Sequence, residues 1–295
     1  MKIFFKNILL FLIPFLAVIF IWCFFIFYVS NNVNYKIDNK VSTLFIGDSH
    51  FQKGIADSLL IGSENLAATS ESFYFSYYKL KKILEHNEQI KNVYLGFSYH
   101  SLSNYYDKFI SGEYSQSISP KYFYMLPFSE KCKLVYWNLY AFPQYTREII
   151  KTGNYLLSTD NVFISSGYSN KYHNTKASIK SMNKRFKFQY YTNNCLNGFS
   201  NTNIIYLKKI VALCKENQIK LTIINMPLHP YYKNKISQNY INMYDNIVDK
   251  CLLNVLDLNN INFSDSSFIP DGDHLSAEGA CYFTKELKKI ILRVQ

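Results

Sequence analysis

Apolar residues follow two different rhythms along the chain. Residues 8–29 form one uncharged run of Leu, Ile, Phe and Val with single Ala, Trp, Tyr, Pro and Cys residues. About 20 such residues cross a bilayer as a helix. Lys2 and Lys6 precede the run, so the positive-inside rule predicts a cytoplasmic N-terminus and an extracytoplasmic remainder. A cleaved signal peptide carries a shorter apolar core, about 7–15 residues, with small residues at its cut site. The bulky stretch CFFIFYVSNN favours an uncleaved signal anchor over residues 1–30. Residues 31–40 read as a polar stalk. No second apolar run of that length follows.

Beyond the stalk the apolar runs shorten to strand length. Five segments read as strands: Thr43–Ile46, 65–68, 92–95, 221–225 and 255–258. Between them the spacing turns helical. Residues 72–86 carry Phe73, Tyr77, Leu80 and Leu84, and residues 204–216 carry Ile205, Leu207, Ile210, Val211 and Cys214. A last helix places Ala280, Phe283, Leu287 and Ile290 on one side. Strands alternating with helices predict an α/β class, a three-layer α/β/α sandwich around a parallel five-stranded sheet, over residues 41–295. Residues from about 101 to 200 interrupt that alternation. They are rich in Tyr, Asn, Ser and Lys, with helices expected over about 130–150, and they exceed what a crossover needs. Their aromatics either stack on sugars or pack onto the sheet.

Charge and cysteine usage narrow the function classes. The net charge is +11 over 295 residues, but the basic excess is dispersed. Lys79, Lys81, Lys82 and Lys285, Lys288, Lys289 read as solvated helix faces, with attraction to anionic headgroups or glycans as the functional alternative. Nothing resembles a nucleic-acid motif. Cys132, Cys195, Cys214, Cys251 and Cys281 show neither a CxxC pair nor metal-ligand spacing; no metal or organic cofactor is expected.

The candidate chemistry lies at the two ends of the domain. The first strand stops at Gly47-Asp48-Ser49-His50, which places Ser49 at a strand's carboxyl end, where open α/β sheets bind ligands. The plainer alternative is a turn whose Asp48 and Ser49 cap the next helix. Asp271 and His274 stand three apart, just before the last helix. A serine hydroxyl needs a base within reach, and that base needs a third group to fix its tautomer. Ser49, His274 and Asp271 supply those parts, with Asp273 as the rival for the third. His229, after the fourth strand, either touches substrate at the same edge or shapes a Pro-flanked turn. His50 lines the pocket or caps its helix. His100 and His173 read as surface or packing residues.

These residues resemble the SGNH, or GDSL-type, hydrolases and acyltransferases. Gly47-Asp48-Ser49-His50 matches the nucleophile block, with His50 where the family has leucine. Asp271-Gly272-Asp273-His274 matches the Asp-x-x-His block, and Leu275-Ser276-Ala277-Glu278-Gly279 looks like the usual opening of the last helix. The resemblance implies Ser49 as nucleophile, His274 as base and Asp271 as its partner. The middle blocks depart. Thr69 and Ser70 stand near the expected oxyanion glycine, and Gly96-Phe97-Ser98-Tyr99 keeps Gly96 but has Ser98 in place of an asparagine donor. The implied donors are therefore backbone N–H groups near Ser49 and Ser70 and the Ser98 side chain. One anchor followed by such a domain is similar to bacterial proteins that acetylate or deacetylate cell-surface polysaccharides. That implies an acylated cell-surface glycan and the membrane as partners. The alternative is a degenerate domain that binds glycan or serves as a scaffold beside a membrane-bound acyltransferase.

Overall fold

The computed structural model describes residues 1–158, 166–258 and 261–294; residues 159–165 of the expected insertion lie outside that set. Helix α1, Lys2–Asn32, contains the long apolar run and is long and apolar enough to cross a membrane. It includes the first two residues of the expected stalk. Val33, Tyr35 and Ile37 then turn into the core, and Asn87 fixes them by accepting from the Ile37 N–H and donating to the Tyr35 carbonyl. The stalk lies against the domain.

Five parallel strands follow: β1 (Thr43–Ile46), β2 (Ser63–Asn65), β3 (Asn92–Gly96), β4 (Lys220–Asn225) and β5 (Val255–Asp257). Their order is β2-β1-β3-β4-β5. Alternation within each strand divides the core. Leu44, Ile46, Val93, Leu95 and Ile223 face helices α3 (Phe73–Leu84) and α7 (Asn201–Glu216). Phe45, Tyr94 and Ile224 face the other way, toward Ala280, Phe283 and Leu287 of α9 (Ala277–Val294). Helices therefore cover both faces, as the near-continuous apolar strands require.

Two expectations shift. The second strand begins before residues 65–68. Leu66 still donates to the Phe45 carbonyl of β1 and Ala68 to that of Gly47 just beyond it, but Asn65 turns its side chain inward to the Phe51 and Ile55 carbonyls. In α7 the buried stripe runs through Asn203, Leu207, Ile210 and Cys214, while Ile205 is exposed.

The region between β3 and β4 opens with short 3₁₀ and helical turns. It then forms α4 (Phe128–Trp137), α5 (Phe142–Ser158) and α6 (Ile179–Tyr190). Most of its early tyrosines are buried, so packing accounts for them. Tyr122 reaches Glu71 at 2.8 Å, and Glu71 also meets Lys79 Nζ at 2.5 Å. Lys79 is thus a buried cation and not part of a solvated face: the turn of α3 that carries it faces Leu66 and Glu71.

This pair gives a direct stability test. Lys79→Ala strands a buried carboxylate and should cost about 3–5 kcal/mol. Lys79→Met combined with Glu71→Gln should recover most of that loss. Urea unfolding of the detergent-solubilised chain measures both; a Lys79→Ala loss under about 1 kcal/mol would contradict a buried pair.

Candidate active site

The sheet order places β1 and β3 side by side with their crossovers departing in opposite directions, so a crevice forms at their carboxyl ends. Gly47 and Gly96 close those ends. A Cβ on Gly47 would lie 3.3 Å from the Gly96 nitrogen, and one on Gly96 would lie 3.0 Å from the Phe51 ring. A side chain at either position would push its neighbour back by a few tenths of an ångström. Helix α2, Ser49–Gly54, starts immediately after, with Asp48 as its N-cap accepting from the His50 N–H at 2.9 Å. Capping and exposure of chemistry are therefore not alternatives here: Asp48 caps, and Ser49 stands at the first helical position, where its N–H has no intrahelical acceptor.

Ser49 Oγ lies 2.8 Å from His274 Nε2. On the other side of the ring, His274 Nδ1 lies 2.8 Å from Asp271 Oδ2. Asp271 Oδ1 accepts from the backbone N–H groups of Asp273 and His274 at 3.0 and 3.1 Å. The turn depends on Gly272, whose φ is +62° and whose missing Cβ would collide with Met182 at 2.5 Å. With Nδ1–H donated to Asp271, His274 presents a bare Nε2 to the serine hydroxyl. Burial outweighs the Asp271 carboxylate, and with the nearby Lys53 charge it pushes the His274 pKa down to about 4.

Asp273 does not orient His274. Its Oδ2 is 3.9 Å from Nδ1, and it instead accepts from Arg185 Nε at 2.7 Å and Gln189 Nε2 at 2.8 Å. Its Oδ1 sits 3.1 Å from His50 Nε2, at ion-pair distance without an aligned hydrogen bond. Burial opposes ionisation of Asp273, but His50 and Arg185 hold its carboxyl well below the usual range. Burial likewise opposes charge on His50, and Asp273 and then Asp48 raise it above the ordinary histidine value.

His100, read from sequence as a surface or packing residue, is buried and donates from Nε2 to Asp48 at 2.8 Å. The 3₁₀ turn after β3 aims it there. Tyr106 donates to the same oxygen. Burial would raise the Asp48 pKa, yet His100, His50 and Tyr106 together depress it strongly. The His50 ring lies 4.2 Å from the His100 ring and 4.8 Å from the His274 ring.

The remaining candidates lie close by in other arrangements. Ser98 is buried; its side chain accepts from the Ser101 N–H while the Ser101 hydroxyl accepts in return. Among the described residues no hydrogen bond links Ser98 to Ser49 or His274. Ser70 adopts a left-handed φ of 63°, and the preceding Thr69 N–H is taken by Gln52. His229 uses both nitrogens, Nδ1 accepting from Tyr231 N–H at 3.1 Å and Nε2 facing Asp265 at 3.0 Å, while its own N–H donates to the Gly272 carbonyl. It braces the Asp271 turn. His173 is exposed beside Glu278.

His50, Asp273 and His274 have donor atoms within 4.8 Å of one another. They do not suit a cation. Arg185 and Gln189 already occupy one oxygen of Asp273, the Arg185 charge beside it opposes a second cation, and both His274 nitrogens are engaged.

Comparisons add little at this level. A family model without a functional description matches residues 168–294. No curated protein matches the chain. Among solved structures, one from Streptococcus pneumonia named as a platelet activating factor shares 10% identity at a TM-score of 0.43, with 90% of each chain covered. Another, named as an acylhydrolase from Bacteroides fragilis NCTC 9343, shares 8% identity at a TM-score of 0.40, covering 90% of this chain and 93% of its own. Both names are provisional, and likenesses this slight say nothing of the chemistry here.

The two carboxylates separate experimentally. Asp273→Asn breaks a buried ion network and should cost about 3–5 kcal/mol in urea unfolding. Asp271→Asn keeps its Oδ1 acceptor and should cost about 1 kcal/mol or less. Equal losses would contradict the different partners assigned to them.

Proposed function

We propose that this chain is a serine-type ester hydrolase or O-acyltransferase. The unbroken line from Ser49 through His274 to Asp271 carries the reading. Ser49 Oγ attacks an ester carbonyl carbon as its proton passes to His274 Nε2. The tetrahedral oxyanion collapses, the ester C–O bond breaks, and His274 returns the proton to the departing oxygen. Water or a sugar hydroxyl, deprotonated by the same imidazole, then releases the acyl group from Ser49. Asp271 holds the tautomer and faces the transient imidazolium without taking its proton.

An oxyanion needs donors about 2.7–3.1 Å from where it forms. The Ser49 N–H is the first candidate; the backbone at Ser70 and, at the end of β3, Gly96 and the Ser98 hydroxyl are the others. His229 contributes by bracing the catalytic turn.

We assign residues 1–30 to a membrane anchor, 31–40 to a stalk and 41–295 to an extracytoplasmic SGNH-like domain. Its substrate is then an acyl ester, most simply acetyl, on a cell-surface polysaccharide. A scaffold beside a membrane acyltransferase is the second reading, favoured by Ser98 replacing an asparagine donor. Losing such a donor lowers rate about 10²–10³-fold.

A fluorophosphonate probe distinguishes the two readings. It should label the wild-type chain and leave Ser49→Ala and His274→Ala unlabelled, whereas equal labelling of all three excludes the triad. Only neutral His274 can accept the serine proton, so the labelling rate should rise with pH through about 4 and stay level above it. An acid limb near the ordinary histidine value of about 6.5 would contradict the buried, neutral base.

A further inference from the structure

A second site lies away from Ser49, where α1 meets the region between β3 and β4. A cleft of about 800 Å³ opens there between α1 and α4, within the roughly 300–1,000 Å³ common for small-molecule sites. Its two ends differ in chemistry. At one end Lys131 Nζ donates to Ser30 Oγ at 2.6 Å, and Lys81 and Lys82 of α3, with Glu85 just after it, complete the wall. At the other, the chain after α4 runs back along α1 until Phe142 meets Trp22, ring centres 6.4 Å apart. Cys23, Ile26, Phe27, Tyr136 and Leu139 line that apolar end. Trp22 to Ser30 spans roughly 12 Å of helix at 1.5 Å per residue, about the depth from headgroups into the acyl chains.

The charges at the polar end are unbalanced. Lys82 pairs with Glu85 at 2.7 Å. Lys81 and Lys131 meet no carboxylate among the described residues. Burial and the nearby Lys82 charge push Lys131 down to about 8, a strain that a bound anion would relieve. At the cleft's rim Phe128 and Tyr136 are 77% and 71% exposed, and Tyr140 beyond them 66%. Aromatics favour this placement at a membrane–water boundary, and lysines can reach headgroups from it.

We propose that this cleft binds one anionic phospholipid, its phosphate held by Lys81, Lys82 and Lys131 and an acyl chain lying along Ile26, Phe27 and Leu139. A transmembrane helix from another protein would fill the apolar end but leave two cations unmatched at headgroup level. A lipid satisfies both ends at once. The site uses none of the residues assigned to ester chemistry, so it stands or falls separately from that reading; it does require α1 to lie in a bilayer.

The test uses the full chain in nanodiscs of phosphatidylcholine with a minor fraction of phosphatidylglycerol, released and weighed by native mass spectrometry. Wild type should retain one phosphatidylglycerol per chain, enriched about tenfold or more over phosphatidylcholine. Lys81→Glu, on the exposed side of the site, and Lys131→Gln should each reduce that enrichment, and together abolish it. The exposed, distant Lys285→Glu should leave it unchanged, and thermal unfolding should show that all four variants are folded. Equal retention of both lipids, enrichment indifferent to Lys81 and Lys131, or a copurifying membrane helix crosslinked into the cleft in place of lipid would each overturn the proposal.

Discussion

One buried carboxylate, Asp273, ties together three segments that are far apart in the chain. It belongs to the turn before the last helix, takes hydrogen bonds from Arg185 and Gln189 on α6, and faces His50 on α2. Charges so deeply buried are tolerated only when paired, and removing one partner costs far more than the pair itself contributes. Alternation continues outward from it, from Arg185 to Asp273 to His50 to Asp48. The region between β3 and β4, which looks from sequence like an ornament on an α/β sheet, therefore supplies the cation that lets the Asp271–His274 turn exist next to Ser49.

The same arrangement sets the state of the proposed base. Burial opposes charge on His50, but the two carboxylates beside it, Asp273 and Asp48, raise its pKa above the ordinary histidine value. His274 stands beside one carboxylate, is buried, and feels Lys53, so it is left neutral. Two histidines with ring centres 4.8 Å apart are thereby pushed in opposite directions. Such divergence marks a site able to move protons, and here it arises from placement alone: Asp273 is held away from His274 by Arg185, leaving Asp271 to fix its tautomer.

Much of the fold was legible because its signals are local. Short apolar runs gave four of the five strands nearly in place, and the last helix shows its buried stripe in its own spacing. The second strand was misplaced because its residues, Ser-Glu-Asn, are polar and pair only through the backbone. Ser49, Asp271 and His274 were candidates because residue type and position at a turn are readable in one dimension. The surrounding network was not. His100 and Arg185 gain meaning only when β3 and α6 bring them to Asp48 and Asp273, 52 and 88 residues away. Lys79 misled for the same reason: its i,i+3 lysine neighbour suggested a wet face, while its partner Glu71 lies in the loop before α3.

Side-chain NMR of ¹⁵N-labelled histidine in the full chain, titrated from pH 8 downward, tests the electrostatic arrangement most directly. His274 should remain neutral, with its proton on Nδ1, until the pH falls to about 4. His50 should stay doubly protonated above the ordinary histidine midpoint of about 6.5. A His274 that titrates near 6.5, or carries its proton on Nε2 at neutral pH, would contradict a buried neutral base facing Ser49.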